Sequence, residues 1–412
     1  MKKSKVSIVK TKQNPGAKEI AVAVRKALDL IGGIKDIVKR GNLVLIKPNW
    51  AAPPAEREKA VITDPDVAKA VADIVREQGA RAVIAESSAV GVDTEKVIET
   101  SGYKTLRDQG YEVVDLKKTK IVKVPVKGGL VLKELETYEL VLQADVIVSL
   151  PKMKTHDQAD MTGPMKNLKG LLSDKYKRLF HQEFGVFQGC VDITAFFKPA
   201  FSVVDAILCQ EGLGPIYGKP VEMDLILAGR DMVAIESVCG QIAGFEPGEL
   251  PIPKLGAERG LGNLYLKDID IVGEKIESVK RRFMRVEEDD PVQVEGFHLI
   301  FGGITCTGCR NTVLSALADM RNADQLMYLP GVTVITGDPI IQVGIPKDSI
   351  VAVGKCVPKE KRGERYAPGC PPSNAFVVDA IIGGREKVKR RYAEEGRTVG
   401  SSAELVDEDS KK

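Results

Sequence analysis

Short apolar runs alternate with amphipathic stretches along most of the chain, and this alternation restricts the fold more than any other feature. The first strand-like runs are residues 5–10, 42–48 and 81–87, and helix-like stretches separate them at residues 17–31 and 63–79. Strands and helices that alternate at this spacing build a parallel sheet with helices on both faces. The sequence therefore predicts an α/β fold with mostly parallel sheets.

The length of 412 residues exceeds what one hydrophobic core usually serves, so two or three domains are expected. The alternating pattern continues to residue 273, and a charged stretch that contains proline, residues 278–296, is the predicted linker. We predict an α/β domain over residues 1–285, a smaller α/β domain over residues 286–396, and a disordered tail over residues 397–412.

Bulk composition excludes several classes of protein. Sixty basic and 57 acidic residues nearly cancel, which argues against nucleic-acid binding through the overall field. No window approaches about 18 consecutive apolar residues, so we expect no membrane span, and the basic start lacks a signal-peptide core. We therefore expect a cytoplasmic protein. Seven cysteines are too few for a secreted disulfide framework, which favours thiolate or metal chemistry.

Four cysteines are grouped in the last third of the chain. Cys306 and Cys309 form a C-x2-C pair, and Cys356 and Cys370 follow after 46 and 13 intervening residues. Each comes after a predicted strand or just before a helix, where the carboxyl edge of a parallel sheet can bring them together. The spacing predicts a [4Fe–4S] cluster in a reducing or anaerobic cell, which makes residues 286–396 an iron–sulfur domain. A structural zinc site and unliganded thiols are the alternatives.

The flanks of the last two cysteines resemble a known cluster site. Residues 354–356 (GKC) and 368–372 (PGCPP), together with the C-x2-C pair, are similar to the cluster site in the small electron-transfer subunits of respiratory complex I and of nickel–iron hydrogenases. The resemblance implies that Cys306, Cys309, Cys356 and Cys370 are the ligands. It covers only these short stretches and implies no particular activity.

Basic residues are concentrated in residues 150–170, directly after an apolar strand. Four lysines and one of only three histidines of the chain lie there: Lys152, Lys154, His156, Lys166 and Lys169. Point charges, an ionisable imidazole and the glycines between them suit an anion, and the stretch at 163–170 is expected to lead into a helix N-terminus. The alternative is a solvated basic loop.

Polar clusters follow the other predicted strands as well. They occur at residues 47–50, 85–88, 211–215 and 229–231, and together they predict one pocket on the carboxyl edge of the sheet. The predicted catalytic residues are His156, Glu86 and Lys154. The predicted binding residues are Lys47, Asn49, Ser87, Lys152, Lys166, Asn167, Lys169, Glu211, Gly212 and Gly214.

The same fragments, from KPNW at residue 47 to GRD at residue 229, resemble the family catalogued as domain of unknown function 362. The similarity runs from about residue 40 to residue 275, and several members of that family carry additional cysteine-rich modules. A more distant likeness to the nickel-pincer lactate racemase fold transfers no residue, because the paired catalytic histidines of that fold cannot be placed in this chain.

These observations favour an iron–sulfur oxidoreductase or electron-transfer protein that acts on a small anionic substrate or cofactor. The cluster would relay single electrons from a ferredoxin-like donor, and a two-electron reaction would need an additional cofactor. Two alternatives remain open. One is a non-redox isomerase, lyase or ligase with a structural or Lewis-acid cluster, and the other is a non-enzymatic carrier of clusters or electrons. The sequence also leaves an oligomer open.

Overall fold

The computed structural model describes residues 3–54, 60–215, 218–288 and 292–385, and the chain divides into two compact units. The larger unit comprises Met1–Lys177 and Phe187–Met284. The smaller unit comprises the residues from Arg285 onward together with Arg178–Val186. The sequence analysis did not anticipate that this short segment leaves the larger unit. The predicted tail at 397–412 lies outside the described residues.

The larger unit is built on a ten-stranded, mostly parallel sheet in the order β12-β1-β11-β10-β7-β2-β3-β4, with β8 on β10 and β9 on β8. A separate antiparallel hairpin is formed by β5 and β6. The strands are β1 (Ser4–Lys10), β2 (Leu43–Lys47), β3 (Arg81–Glu86), β4 (Glu112–Asp115), β5 (Ile121–Pro125), β6 (Glu134–Tyr138), β7 (Val146–Ser149), β8 (Lys152–His156), β9 (Asp160–Thr162), β10 (Phe201–Glu211), β11 (Lys219–Gly229) and β12 (Ile269–Gly273).

Helices connect these strands. They are α1 (Ala17–Leu30), α2 (Pro65–Glu77), α3 (Thr94–Glu99), α4 (Gly102–Asp108), α5 (Glu139–Gln143), α6 (Pro164–Asn167), α7 (Asp174–Leu179), α8 (Val186–Phe197), α9 (Met232–Ile242), α10 (Pro251–Glu258) and α11 (Ile276–Val279). No helix within the described ranges is long and apolar enough to cross a membrane.

Both faces of the large sheet are covered, as alternation along β1 demonstrates. Val6 and Ile8 belong to the same buried cluster as Val238 of α9. Ser7, which points the other way, donates a hydrogen bond to the backbone oxygen of Ala27 in α1 (2.7 Å). Because successive side chains of a strand face opposite sides of the sheet, α1 and α9 lie on opposite faces. The predicted α/β fold with mostly parallel sheets is confirmed.

One long strand runs against the others. β11 is antiparallel to both of its neighbours, β1 and β10, whereas β10 is parallel to β7. Its carboxyl end, with residues 229–231, therefore lies at the opposite edge of the sheet from the ends of β2, β3 and β7. The expectation that this cluster shares their pocket is wrong, because strand direction is set by pairing and is not visible in an apolar run.

The smaller unit contains a four-stranded parallel sheet in the order β13-β14-β15-β16. Its strands are β13 (His298–Phe301), β14 (Thr333–Thr336), β15 (Ile350–Val353) and β16 (Arg365–Ala367), and its helices are α12 (Thr307–Asn322) and α13 (Asn374–Ile382). Val334 and Val351 pack with Val313 of α12 and Val377 of α13. Alternate residues of the same strands form a second small cluster on the other face.

Candidate functional site

Residues 152–162 form a hairpin that presents basic side chains on one face. Met153 and Met161 belong to the hydrophobic core, so Lys152, Lys154 and His156, which alternate with Met153, face the other side. Lys152 and Lys154 are 2% and 0% exposed. The predicted solvated-loop alternative is therefore wrong for these two lysines. The period-two alternation of Lys152, Lys154 and His156 with Met153 and Thr155 is the signal in the sequence that predicts a strand here.

A buried ion pair lies next to this face, at the ends of β2 and β3. Lys47 Nζ donates to Glu86 Oε2 and to Asn167 Oδ1, the latter at 2.9 Å. Asn167 in turn donates to the backbone oxygen of Lys47 (3.0 Å) and to Ser149 Oγ (3.1 Å). Burial lowers the pKa of Lys47 and raises that of Glu86, and their mutual attraction opposes both shifts. Three predicted site residues are thus in direct contact.

Two further predicted residues, Ser87 and Asn49, lie at the same strand ends. They differ in whether a hydrogen-bonding group remains available to a ligand. Ser87 Oγ donates to the backbone oxygen of Gly170 (2.7 Å) and accepts a hydrogen bond from Lys177 Nζ (2.7 Å), so its hydroxyl is used within the protein. Asn49 Nδ2 lies 3.3 Å from Asn167 Oδ1. Asn49 Oδ1 is buried and has no hydrogen-bond partner among the described residues. Asn49 therefore offers an acceptor to a ligand, and Ser87 serves the local structure.

Two of the lysines have no carboxylate partner within the part of the chain that the structure describes. There, Lys154 Nζ donates to the backbone oxygens of Val61 (2.6 Å) and Pro215 (3.1 Å). Lys166 makes no hydrogen bond or ion pair with any described residue. Burial lowers the pKa of Lys154 well below its usual value, and the charge of Lys166 lowers it further. Burial lowers the pKa of Lys169 to about 7, with Lys166 again adding to the shift. The cluster thus holds more basic groups than compensating acids.

His156 lies at the end of the same face and is neutral at physiological pH. Burial lowers its pKa to about 3, and the charge of Lys166 contributes to that shift. The backbone N–H of Gln158 donates to His156 Nδ1 at 3.0 Å, and Asp157 Oδ1 lies 2.9 Å from the same nitrogen. The ring can therefore hold its proton on Nε2 while Nδ1 accepts from Gln158, or on Nδ1 while it donates to Asp157.

Three acids near this cluster were not predicted from the sequence. The backbone N–H of Asp64 donates to Asp205 Oδ2 (2.7 Å), which also pairs with Lys152 Nζ (2.8 Å). Burial, followed by the charge of Asp205, raises the pKa of Asp64 to about 6. Glu236 of α9 accepts a hydrogen bond from the backbone N–H of Met165 (2.8 Å), and burial raises its pKa to about 8. Asp64 stands in the stretch ITDP (residues 62–65), within the range over which the sequence resembles the family.

The expected helix N-terminal anion site does not form. The helix α6 has only four residues, and its first free amide, that of Met165, is occupied by Glu236. A single turn carries little of the dipole that makes longer helices bind anions. Lys166 and Asn167 therefore reach the pocket as side chains on a turn.

Residues 211–214 lie away from Lys47 and Glu86. Glu211 pairs with Arg281 (3.2 Å) and accepts the backbone N–H of Met284 (2.9 Å). The backbone oxygen of Gly212 accepts from Thr155 Oγ1 (2.8 Å), and Thr155 faces away from Lys154 on β8. The backbone oxygen of Gly214 accepts the N–H of Asp157 (2.9 Å). Glu211 and Gly212 therefore support the back of the hairpin and are not brought to the lysines, whereas Gly214 directly precedes Pro215, whose backbone oxygen accepts from Lys154 Nζ (3.1 Å).

In the smaller unit, Cys306 and Cys309 lie at the start of α12. Cys306 is the N-cap residue and is exposed, whereas Cys309 is buried in the first turn. The Cys309 thiol donates to the Cys306 sulfur, and the backbone N–H groups of Gly308 and Cys309 also reach that sulfur. These hydrogen bonds lower the pKa of Cys306 to about 6 despite partial burial. The helix start therefore favours a thiolate at Cys306.

The other two predicted ligands lie within electrostatic range of this pair. Burial and the negative charges of Cys306 and Cys356 raise the pKa of Cys370. The hydrogen bond to Cys306, burial, and the charges of the other cysteines raise the pKa of Cys309. Gly354 has a φ of +93°, and a Cβ at this position would lie 2.7 Å from Cys309 Sγ, so only glycine leaves room for that sulfur.

The segment Arg178–Val186 bonds to the backbone of Cys370. The backbone N–H of Cys370 donates to the backbone oxygen of His181 (3.1 Å), and that of Val186 donates to the oxygen of Cys370 (3.0 Å). These two hydrogen bonds fix the chain on both sides of Cys370. Within the described ranges, no three His, Cys, Asp or Glu side chains converge as a single metal ion would need.

The remaining cysteines are core residues. Cys209 and Cys239 belong to the main hydrophobic cluster of the larger unit. Cys190 is also buried, and burial raises its pKa to about 12 even though Lys166 and Lys169 oppose the shift. None of the three is a thiolate near neutral pH.

Comparisons with known proteins show the family to which the chain belongs. A family model described as "Domain of unknown function (DUF362)" matches residues 44–241, a range that includes most of the lysine cluster. The thylakoid-associated protein sll1697 of Synechocystis sp. is 31% identical over 268 residues, which are 62% of this chain and 79% of that protein. Among solved structures, the lactate racemase apoprotein from Thermoanaerobacterium thermosaccharolyticum matches with a TM-score of 0.42 and 11% sequence identity. The match covers 82% of this chain and 69% of the lactate racemase chain. At that TM-score the similarity transfers neither residues nor function. The chain belongs to the family described as domain of unknown function DUF362.

Proposed function

We propose that this protein is an iron–sulfur enzyme that binds a small anionic substrate or cofactor in the lysine cluster of its larger unit. The observation that carries the proposal is the concentration of basic groups around buried Lys154 and half-buried Lys166, neither of which has a carboxylate partner among the described residues. Buried charges are normally paired because desolvation is costly. An anionic ligand would supply the missing partner. An electron carrier without a substrate would have no need of such a group of lysines.

The residues around these lysines suit a ligand that bears oxygen atoms. Charged ammonium groups form strong hydrogen bonds with carboxylate or phosphate oxygens. Asn49 Oδ1 adds an unused acceptor beside Lys47, which can receive a hydrogen bond from a hydroxyl group of the ligand. His156, neutral and able to carry its proton on either nitrogen, can hold or move a proton next to the bound anion. In this proposal the lysines and Asn49 bind the substrate, and His156 holds or transfers the proton.

The cysteine site supplies the redox part of the proposal. Cys306, Cys309, Cys356 and Cys370 would hold a [4Fe–4S] cluster, which transfers one electron at a time when bound. The thiolate-stabilising helix start at Cys306 and the space left by Gly354 support this assignment. The cluster would exchange electrons with a partner protein, and a second cofactor would be needed for a two-electron reaction.

The first prediction tests the anion site. In anaerobically purified protein, Lys154→Met and Lys166→Met should each weaken binding of phosphate, oxalate or citrate about ten- to a hundredfold, because each removes a charged hydrogen bond of roughly 1.5–3 kcal/mol. Calorimetric titration with each anion measures the effect. Lys26→Met on α1, at an exposed position, is the matched control and should bind like wild type. Unchanged affinity in both pocket variants would refute the anion site.

A further inference from the structure

An exposed apolar patch lies beside the cysteines of the smaller unit. Ile304, in the loop that leads to Cys306, is 62% exposed, and Ile340 and Val343, in the loop after β14, are 90% and 107% exposed. The two loops are joined by a hydrogen bond between the hydroxyl groups of Thr305 and Thr336 (2.7 Å). Aliphatic side chains this exposed, on two chain segments that are joined to each other, are uncommon on a surface with no partner.

Basic residues lie along one side of this patch. The stretch 355–362 carries Lys355, Lys359, Lys361 and Arg362 against one acid, Glu360. Lys361 Nζ pairs with Asp338 (2.5 Å) and donates to the backbone oxygen of Pro339 (2.9 Å), which ties the basic stretch to the apolar loop. Lys355 and Lys359 remain exposed. The surroundings of the patch therefore carry a local positive charge that the near-neutral whole chain does not.

The patch is also next to the most accessible cysteines. Cys306 and Cys356 are exposed, and each is separated by only one or two residues from a member of the patch or its basic border. A cluster held by these cysteines would lie close to the protein surface. Electron transfer needs the donor and acceptor centres to approach closely, and transient redox complexes use small interfaces, typically below about 1,200 Å².

We propose that Ile304, Ile340, Val343, Lys355 and Lys359 form a docking face for an acidic one-electron carrier protein of the ferredoxin class. The apolar residues supply the dry centre of the interface, and the lysines attract and orient the acidic partner. The inference rests on the proposed cluster, because it is the cluster that would receive the electron. It goes further by naming the surface and the charge of the partner.

The test measures ferredoxin binding and cluster content separately. Anaerobically purified full-length protein is titrated with an oxidised plant-type [2Fe–2S] ferredoxin at about 25 mM and about 300 mM salt. The variants are Lys359→Glu and the double variant Ile340→Asp with Val343→Asp. The controls are Lys18→Glu on α1 and Ile121→Asp on β5, which make the same changes at exposed positions of the larger unit. Iron and sulfide content are determined for every sample.

If this surface binds ferredoxin, both patch variants lose at least about tenfold in affinity for it at low salt, and the controls stay within about twofold of wild type. Wild-type binding weakens at high salt, because salt screens the attraction between the lysines and the acidic partner. Loss of ferredoxin binding with full iron content supports the proposal. Equal binding by patch variants and wild type overturns it, as does a patch that instead mediates self-association, seen as a dimer that Val343→Asp dissolves in sedimentation. Ferredoxin binding at the patch in protein that never contains iron would refute the proposed cluster but support the docking face.

Discussion

At the scale of single residues, this protein keeps an unusual number of ionisable side chains away from water. Lys47 and Glu86 neutralise each other, and Lys152 is paired with Asp205. Glu236 is neutral instead of paired. Burial raises its pKa to about 8, so its carboxyl group is mostly protonated near neutral pH and needs no cation. Buried acids therefore avoid the cost of desolvated charge by pairing or by protonation, whereas Lys154 has no carboxylate partner among the described residues and carries a lowered pKa instead.

The second prediction follows from the protonation of Glu236. Its folded pKa is raised above the unfolded value, so the folded protein binds more protons between about pH 4.5 and pH 8, and stability falls as pH rises through that window. Glu236→Gln keeps an acceptor for the N–H of Met165 but cannot ionise. At pH 8 it should be more stable than wild type by roughly 2–4 kcal/mol, because one pKa unit corresponds to about 1.4 kcal/mol.

Urea unfolding at pH 5 and pH 8 measures this effect. The stability difference between Glu236→Gln and wild type should grow from pH 5 to pH 8, whereas Glu99→Gln, at an exposed position of α3, should show no such growth. A constant difference at both pH values would show that Glu236 is ionised in the folded protein.

At the scale of secondary-structure elements, two short pieces build the candidate pocket. The hairpin of β8 and β9 carries Lys152, Lys154 and His156, and the turn that follows carries Lys166 and Asn167. The end of that turn approaches the ion pair of β2 and β3 so closely that a Cβ on Gly170 would lie 1.7 Å from Glu86 Oε1 and 2.8 Å from Lys47 Nζ. The pocket depends on this backbone approach.

The third prediction is that Gly170→Ala displaces the buried ion pair. The added methyl group has no room beside Glu86, so either the turn or the ion pair must move, at a cost of about 1–3 kcal/mol or more. Unfolding experiments should show that loss, and phosphate titration should show weaker binding. Gly16→Ala, where a Cβ meets no atom closer than 3.9 Å, serves as the control. Wild-type stability in Gly170→Ala would mean that the turn is not held against Glu86.

At the scale of the whole molecule, the two candidate sites belong to different units. The lysine cluster is formed entirely by residues of the larger unit, and the four cysteines belong to the smaller one. The chain nevertheless contributes Arg178–Val186 from the middle of the larger unit's sequence to the smaller unit, where it bonds to the backbone of Cys370. A cut near residue 285 would therefore separate this segment from the rest of its unit.

The fourth prediction is that the two sites respond to different substitutions. Cys309→Ser or Cys370→Ser should remove most of the iron and the visible absorbance, because a serine oxygen is a poor replacement for a thiolate ligand, and should leave phosphate binding within about twofold of wild type. Cys209→Ser and Cys239→Ser are controls from the hydrophobic core and should keep their iron. About one zinc and no iron in anaerobic wild-type protein would contradict the cluster, and loss of iron in the core variants would contradict the ligand set.

The local pattern of the sequence was enough to predict the α/β fold and most of the strands, because apolar runs and amphipathic periods reflect burial within each element. It also predicted that Lys47, Glu86 and Asn167 would be neighbours, since parallel strands end at one edge of a sheet. Tertiary structure alone decided the reversed direction of β11, which removed residues 229–231 from the pocket, and the turn of Glu211 toward Arg281. It also decided which lysines are buried without an acid and why Asp64 and Glu236 hold protons so readily. Strand direction, desolvation and charge pairing depend on residues far apart in the chain, and no local window of sequence contains them.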